Sequence, residues 1–255
     1  MTDDLGGKHA VVTGGCRGIG AAVAAALRAQ GATLTLMGRH GSALARQAAR
    51  LGGAHTLIID VTIPAAVADA FADAVDRAGP VDILVNNAGA GESAPFARTD
   101  LALWQRMLDV NLTGTYLCSR AVVSGMVERG WGRIVNIAST AGLTGYPYVT
   151  AYCAAKHGVV GLTRALAVEL ATTGVTVNAV CPGYTDTDLF AATVRNVVAK
   201  TGRTAEATEA ELVSRNPQRR LVRPEEVANA VAWLCRPGAD AITGQAIAVA
   251  GGEVM

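Results

Sequence analysis

Short runs that are apolar almost throughout alternate with longer, alanine-rich stretches along most of this 255-residue chain. His9-Ala10-Val11-Val12-Thr13 reads as a strand, and Ile19 to Gln30 as a helix closed by Gly31. Thr33 to Met37 and His55 to Asp60 are strands, with a helix from Ser42 to Leu51 between them. Pro64 to Ala78 is a helix opened by proline and closed by Gly79-Pro80. Val81 to Val85, Arg133 to Ala138, Val175 to Val180 and Gln245 to Ala250 complete the strands. Thr99 to Arg129 is helical in two pieces, and Thr150 to Thr172 and Pro224 to Cys235 are helices. A strand apolar on both faces belongs to a sheet covered on both sides. Strands separated by helices are joined in parallel through right-handed crossovers.

The expected fold class is therefore α/β. It is a single-domain, Rossmann-type doubly wound parallel sheet of about seven strands flanked by helices, spanning residues 1–255. Thr185 to Pro217 breaks the alternation. It is polar, helix-prone and strand-free, which suits a substrate lid at about 185–217, or alternatively a plain pair of surface helices.

Composition removes several classes of function. Hydrophobic residues make up 51% and charged residues 17%, which excludes intrinsic disorder. Lys and Arg number 22 against 21 Asp and Glu, so the basic footprint of a nucleic-acid binder is missing. Aromatics, at 4%, are too sparse for base stacking. Cys16, Cys118, Cys153, Cys181 and Cys235 are scattered, with no C-x-x-C pair. That pattern argues against a disulfide framework or a zinc site and makes the reducing cytoplasm the expected compartment. The opening Met1-Thr2-Asp3-Asp4 is acidic, so no secretory leader is expected. No apolar run reaches the ~18 residues of a membrane span.

The first strand runs into Thr13-Gly14-Gly15-Cys16-Arg17-Gly18-Ile19-Gly20 and then a helix. Glycines there permit a sharp turn and a close approach of backbone to a pyrophosphate, with a helix N-terminus aimed at it. A structural turn is the alternative. An NAD site places an acid at the end of the second strand to take the ribose hydroxyl. This chain has Met37-Gly38-Arg39-His40 instead. Arg39, helped by Arg17, can hold a 2′-phosphate, so NADP(H) is preferred over NAD(H). Asp60-Val61 is placed to meet an adenine amino group. In Asn86-Asn87-Ala88-Gly89, Asn87 is the cofactor-contact candidate beside Ala88, and Gly89 leaves room for a ring; locking the sheet edge is an equal alternative.

The spacing Tyr152-x3-Lys156 puts both side chains on one helix face. A tyrosine titrates near ~10, but an ammonium ~4 Å away at an effective dielectric of ~20 is worth about 4 kcal/mol. That is about 3 pK units, so the expected phenol pKa is near ~7. Ser139, at a strand's carboxyl end, can hydrogen-bond a substrate carbonyl. Asn111 can hold a water beside Lys156.

Thr13-Gly14-x3-Gly18-x-Gly20, Asn86-Asn87-Ala88-Gly89, Asn111, Ser139, Tyr152-x3-Lys156 and Pro182-Gly183 together resemble the short-chain dehydrogenase/reductase family across the whole chain. The resemblance implies that Tyr152 donates the proton, that Lys156 lowers its pKa and binds the ribose, that Ser139 orients the carbonyl and that Asn111 holds a relay water. It also implies that Pro182, Gly183, Thr185 and Thr187 flank the nicotinamide, and that the chain forms a homotetramer. Arg133 to Thr140 and Lys156 to Gly161 look like ketoreductases of 3-oxoacyl thioesters, including those of polyketide synthesis, with 3-hydroxyacyl dehydrogenases close behind. Thr172-Thr173-Gly174 lacks the basic residue that carrier-protein reductases often place there, so a carrier-protein partner is not favoured. Arg215, Arg219, Arg220 and Arg223 either meet a CoA phosphate or form a solvated face.

The expected activity is NADPH-dependent interconversion of a ketone and a secondary alcohol. The alternatives are a non-catalytic NADP(H) sensor and an NAD-dependent alcohol dehydrogenase working oxidatively. A nucleophilic hydrolase is weaker, because Ser139 lacks a G-x-S-x-G elbow.

Overall fold

The computed structural model describes residues 4–254. Met1, Thr2 and Asp3, on which the expectation about a leader rests, lie outside them. The strands are β1 (His9–Thr13), β2 (Thr33–Gly38), β3 (His55–Ile58), β4 (Ile83–Asn86), β5 (Gly132–Ile137), β6 (Val175–Pro182) and β7 (Ala246–Val249). They form one seven-stranded sheet, in the order β3-β2-β1-β4-β5-β6-β7. Every pairing is parallel. The chain winds outward from β1 to β3, returns to pair β4 with β1, and then winds the other way. That reversal opens a crevice beyond the carboxyl ends of β1 and β4, the place where such sheets bind ligands.

The period-2 alternation of each strand decides which layer a residue joins. Ala10, Val12, Ile83, Val85, Val135 and Val180 face α1 (Gly18–Arg28) and α9 (Pro224–Cys235), against Val23, Leu27, Val227 and Val231. Val11, Leu84, Ile134 and Val177 point the opposite way. They meet Phe71 of α3 (Pro64–Ala78) and Val122 and Met126 of α5 (Gly114–Glu128). Helix α2 (Gly41–Arg50) contributes Leu44 to the first layer.

Among the expected boundaries that move, three do so for a clear local reason. β3 ends at Ile58, because Asp60 closes a turn by accepting from Thr62 N (3.0 Å) and Thr62 Oγ1 (2.8 Å). α6 (Thr150–Glu169) stops short of Thr172, where Thr173 Oγ1 donates to Leu170 O. β6 continues to Pro182, because β7 supplies partners as far as Val249. The two helical pieces expected between Thr99 and Arg129 are α4 (Leu101–Leu108) and α5, joined by a π turn at Asp109–Thr113. Between β6 and α9 stand α7 (Asp188–Thr201) and α8 (Ala205–Ser214), with Gly202 in the left-handed conformation between them (φ 70°). Asn196 Nδ2 and Lys200 Nζ of α7 donate to Ser93 Oγ and Ser93 O, which ties this segment to the loop after β4.

Candidate active site

The loop between β1 and α1 is shaped by what its glycines lack. Gly14 and Gly18 adopt positive φ (64° and 50°), where a side chain is strained. A Cβ on Gly20 would lie 2.3 Å from Gly14 O and 2.4 Å from Asn87 Nδ2. The Asn87 amide donates to Thr13 O and Gly14 O at 3.0 and 3.1 Å, and Thr13 Oγ1 accepts from Asn87 N and Ala88 N. Asn87, expected as a cofactor contact, is thus committed through its amide to bracing the loop. The N-cap residue of α1, Arg17, makes no side-chain cap, so the first-turn N–H groups of α1 are left to an external acceptor. Ile19 packs into the core from the first turn of α1. These donors suit an anion of the diphosphate type.

At the end of β2 a cavity of about 450 Å³ is lined by Cys16, Arg17, His40, Ser42, Arg46 and Arg50, among others. Arg46 and Arg50 of α2 were not legible as site residues, since a basic helix face is usually plain surface. Arg39 is close enough to hold the Asp60 carboxyl below its usual range, although the Thr62 hydrogen bond is the larger cause. Arg17 reaches Asp188 at 3.4 Å, with both side chains largely exposed. The Val61 side chain is buried in the second core layer beside Gly114.

Past the sheet's carboxyl edge, Ser139 follows β5 and its Oγ accepts from Ala141 N at 3.1 Å. Tyr152 and Lys156 stand one turn apart on α6, and Lys156 Nζ lies 5.6 Å from the centre of the Tyr152 ring. The Ser139 side chain hydrogen-bonds the Tyr152 phenol. The expected lowering of that phenol is not what the structure shows. Burial pushes Tyr152 up to about 12, with Ser139 opposing. Burial also pulls Lys156 down to about 8. The ammonium is directed at Ile137 O, 2.8 Å away, and desolvation is the largest cause of the shift in both groups.

Asn111 lies in the π turn, where its amide donates to Ala90 O (2.9 Å) and Met107 O (3.0 Å) and accepts from Ala90 N. Its side chain is bound into the backbone instead of being open to a water. Gly89 makes this possible, since a Cβ there would sit 2.8 Å from Asn111 Oδ1 and 3.8 Å from Lys156 Nζ. Asn111 and Lys156 thus border the space beside Gly89. Asn86 donates to Ser119 and Asn136, which continues to Thr163.

The turn after β6 closes the cleft from the far side. Thr185 Oγ1 donates to Gly183 O and Thr187 Oγ1 to Thr185 O, and Thr187 packs on Gly18. Pro182 ends the strand opposite Val249. Beyond it, Tyr184 makes edge contacts with Tyr146 (6.5 Å) and Phe190 (5.7 Å). Tyr146 Oη donates to Glu253 Oε1 at 2.7 Å, and Arg215 lies over the Tyr146 ring at 5.2 Å. Tyr184, Arg215 and Glu253 were not legible as one group, although two glycines before Glu253 do signal a turn. Arg220 and Arg223 are both engaged by Glu226, which weakens their reading as a phosphate site. Among the described residues no helix is long and apolar enough to cross a membrane, and no cluster of metal-binding residues occurs.

Residues 8–197 match the family model for short chain dehydrogenases. The chain is 43% identical over 251 residues to a Streptomyces coelicolor protein named as a ketoacyl reductase, covering 95% of both chains. It is 38% identical over 257 residues to a 3-oxoacyl-[acyl-carrier-protein] reductase of Aquifex aeolicus, covering 99% of both. Among solved structures, an actinorhodin polyketide ketoreductase with NADPH superposes with a TM-score of 0.94 at 39% identity, over 99% of each chain.

Proposed function

Since the chain belongs to the short-chain dehydrogenase family, and is an NAD(P)-dependent oxidoreductase acting between keto and hydroxy compounds, we propose that it uses NADPH to reduce a ketone in a 3-oxoacyl thioester of CoA type or a related hydrophobic keto substrate. The observation that carries this reading is the cluster of the half-buried Ser139 and Tyr152 with the buried Lys156 at the carboxyl edge of β5. NADPH, when bound, supplies the hydride.

Tyr152 hands its proton to the carbonyl oxygen. At about 12 the phenol is protonated at neutral pH but a weak acid, so the transfer relies on groups that stabilise the tyrosinate as it forms. Ser139 donates to the same oxygen and stabilises the developing alkoxide. Lys156 sits below the phenol, mostly charged at pH 7, and favours the tyrosinate left after transfer. Asn111 acts as a positioning residue that fixes the π turn against Ala90. Its backbone, not its side-chain amide, is the place for a relay water.

Gly14, Gly18, Ile19 and Gly20 present the helix N-terminus to the diphosphate. Arg39 and Arg17 favour the 2′-phosphate, joined by Arg46 and Arg50. Ala88, Gly89, Pro182, Gly183, Thr185 and Thr187 border the nicotinamide end, and Asp60 with Val61 the adenine end. Residues 185–217 act as the substrate lid of a single domain, and the working assembly is a cytoplasmic homotetramer without a carrier-protein requirement.

The test is oxidation of NADPH and NADH followed at 340 nm with acetoacetyl-CoA and a panel of hydrophobic ketones, with Tyr152→Phe as control. The reading expects turnover of at least one ketone, faster with NADPH. Tight NADPH binding with no turnover on any carbonyl would favour the sensor instead.

A further inference from the structure

Helix α6 carries two interior glycines, Gly158 and Gly161, and their surroundings differ. Glycine inside a helix is less stable than alanine, so each one calls for a reason. A Cβ on Gly161 would meet nothing within 4 Å. A Cβ on Gly158 would lie 2.7 Å from Leu112 Cδ2 and 3.3 Å from Leu112 Cδ1. Gly158 is thus a notch in the helix, and the Leu112 side chain is seated in it. Gly158 comes two residues after Lys156, and Leu112 directly follows Asn111. The contact therefore joins the turn that carries Asn111 to the helix that carries Lys156.

The leucine is hemmed in. It is half-buried and packs against the cluster of Ala138, Val159, Val160, Ala179 and Cys181. It belongs to the π turn Asp109–Thr113, a local widening of the helix of the kind that recurs at functional sites. On its other side that turn is held by the Asn111 amide, through Ala90 N, Ala90 O and Met107 O. Asn111 Oδ1 and Lys156 Nζ converge on one point beside Gly89, 2.8 and 3.8 Å from it. Two seats therefore fix how these groups stand to one another: Ala90 on one side and the Gly158 notch on the other.

We propose that Leu112 and Gly158 are positioning residues for ketone reduction: the leucine seated at the glycine sets how far the Asn111 turn stands from Lys156, and so how fast Tyr152 regains its proton after each turnover. Tyr152 gives one proton to the carbonyl oxygen, and the tyrosinate takes one back from solvent by way of Lys156 and the water placed at the Asn111 backbone. Such a transfer needs its groups at hydrogen-bond distance, so a small displacement of the turn slows it. This inference rests on the reading that a ketone is reduced at Tyr152.

The experiment follows NADPH oxidation with the best ketone of the panel in Gly158→Ala, Gly161→Ala, Leu112→Val and the double variant Leu112→Val/Gly158→Ala. In Gly158→Ala, better helix propensity and crowding against Leu112 oppose each other, so the urea midpoint should change little. Its kcat should nevertheless fall about tenfold, with the KM for NADPH within about twofold. The solvent deuterium isotope effect on kcat should rise, because reprotonation becomes slower. Leu112→Val shortens the side chain by one carbon, which makes room for the methyl added at position 158. The double variant should therefore recover kcat to within about threefold of the unaltered protein. If Gly158→Ala fails to fold, the double variant should still fold and turn over.

An unchanged kcat in Gly158→Ala would show that Leu112 swings aside, and the inference would be overturned. A double variant that is inactive, or whose loss is the product of the two single losses, would overturn it as well, since the residues would not act together. Gly161→Ala brings the same gain in propensity without a neighbour, and should keep kcat. An equal fall there would assign the effect to stiffening of α6 and likewise overturn the inference. Failure of the unaltered protein to reduce any ketone would instead sink the reading of function on which it rests.

Discussion

The two ends of the cleft are built from different materials. The end beside β1 and β2 is mostly backbone. Gly14, Gly18 and Gly20 lie within seven consecutive positions, and one amide, Asn87, locks them. The end beyond β5 and β6 is side chains from well-separated stretches: Ser139 and Tyr146, Tyr152 and Lys156, Tyr184 and Phe190, Arg215, and Glu253. A backbone cradle has few ways to vary without losing the fold. A wall of side chains can be rebuilt one residue at a time while the chemistry stays in place. The difference predicts that damage at the first end shows as lost stability and cofactor binding together, and at the second as altered turnover or selectivity in a folded protein.

The largest effect should come from the side-chain end. Tyr152→Phe removes the proton donor and leaves the ring, so kcat for ketone reduction should fall by about 10²- to 10⁴-fold. The lost bond to Ser139 should cost only about 1 kcal/mol of stability. Steady-state kinetics with a denaturant melt on the same preparation check both. A fall of less than about tenfold would mean that the proton comes from elsewhere.

At the backbone end, Gly20→Ala sets two effects against each other. Alanine improves helix propensity by about 1 kcal/mol. Its methyl, however, would sit 2.3 Å from Gly14 O and 2.4 Å from Asn87 Nδ2, both held in place by the loop's own hydrogen bonds. Overpacking against such immovable neighbours costs about 3 kcal/mol, so the clash wins. Urea unfolding should show the loss, and NADPH titration by fluorescence should show weakened binding in the same variant. A stable variant with intact binding would break the contrast between the two ends.

The same contrast explains what could be read without coordinates. The alternation of strands and helices is local and repeated, so the sheet, its parallel sense and most element bounds were legible. Tyr152-x3-Lys156 was legible because four residues on a helix fix a shared face. The pKa of Tyr152 was misread because spacing tells separation along a helix and not depth. Lys156 is buried, the Tyr152 phenol beside it is desolvated, and the ammonium turns to Ile137 O. Asn87 and Asn111 were found as residues but not as braces, since an amide's partners depend on backbone brought from other strands. Glu253 stayed hidden because its approach to Tyr146 spans 107 positions and depends on Asn216 holding a glycine turn.

Lys156 offers a subtler test of the side-chain end. Its folded pKa, about 8, lies below the unfolded value near ~10.4. Between these two values the unfolded chain binds the extra proton, so stability contributed by this group rises with pH across that window. Below about 8 its burial while charged costs about 3 kcal/mol. Lys156→Met lacks that slope. Its stability relative to the unaltered protein should be best below pH 8 and should fall by about 3 kcal/mol as pH rises from 8 to 10.4. Tyr152, pushed up to about 12, loses stability only above its unfolded pKa near ~10, and does so in both proteins, so it cancels. Paired urea melts at pH 7, 8, 9 and 10 measure the difference. A pH-independent gap would mean that the lysine is not desolvated.

The smallest effect should appear where the two ends meet, at Asp188. Its carboxylate is 3.4 Å from Arg17, with side chains 74% and 64% exposed, so the pair contributes under about 1 kcal/mol. Arg17 is proposed to serve the 2′-phosphate, and Asp188 competes for it. Asp188→Asn should therefore leave the melting curve nearly unmoved while lowering the KM for NADPH about two- to threefold, with NADH unaffected, because only the former carries the extra phosphate. The gain should shrink in 0.5 M salt, where screening acts over about 4 Å instead of about 10 Å. An equal gain for both cofactors would show that the aspartate repels the shared diphosphate, which would move Arg17 from the discriminating part of the site to the common backbone cradle.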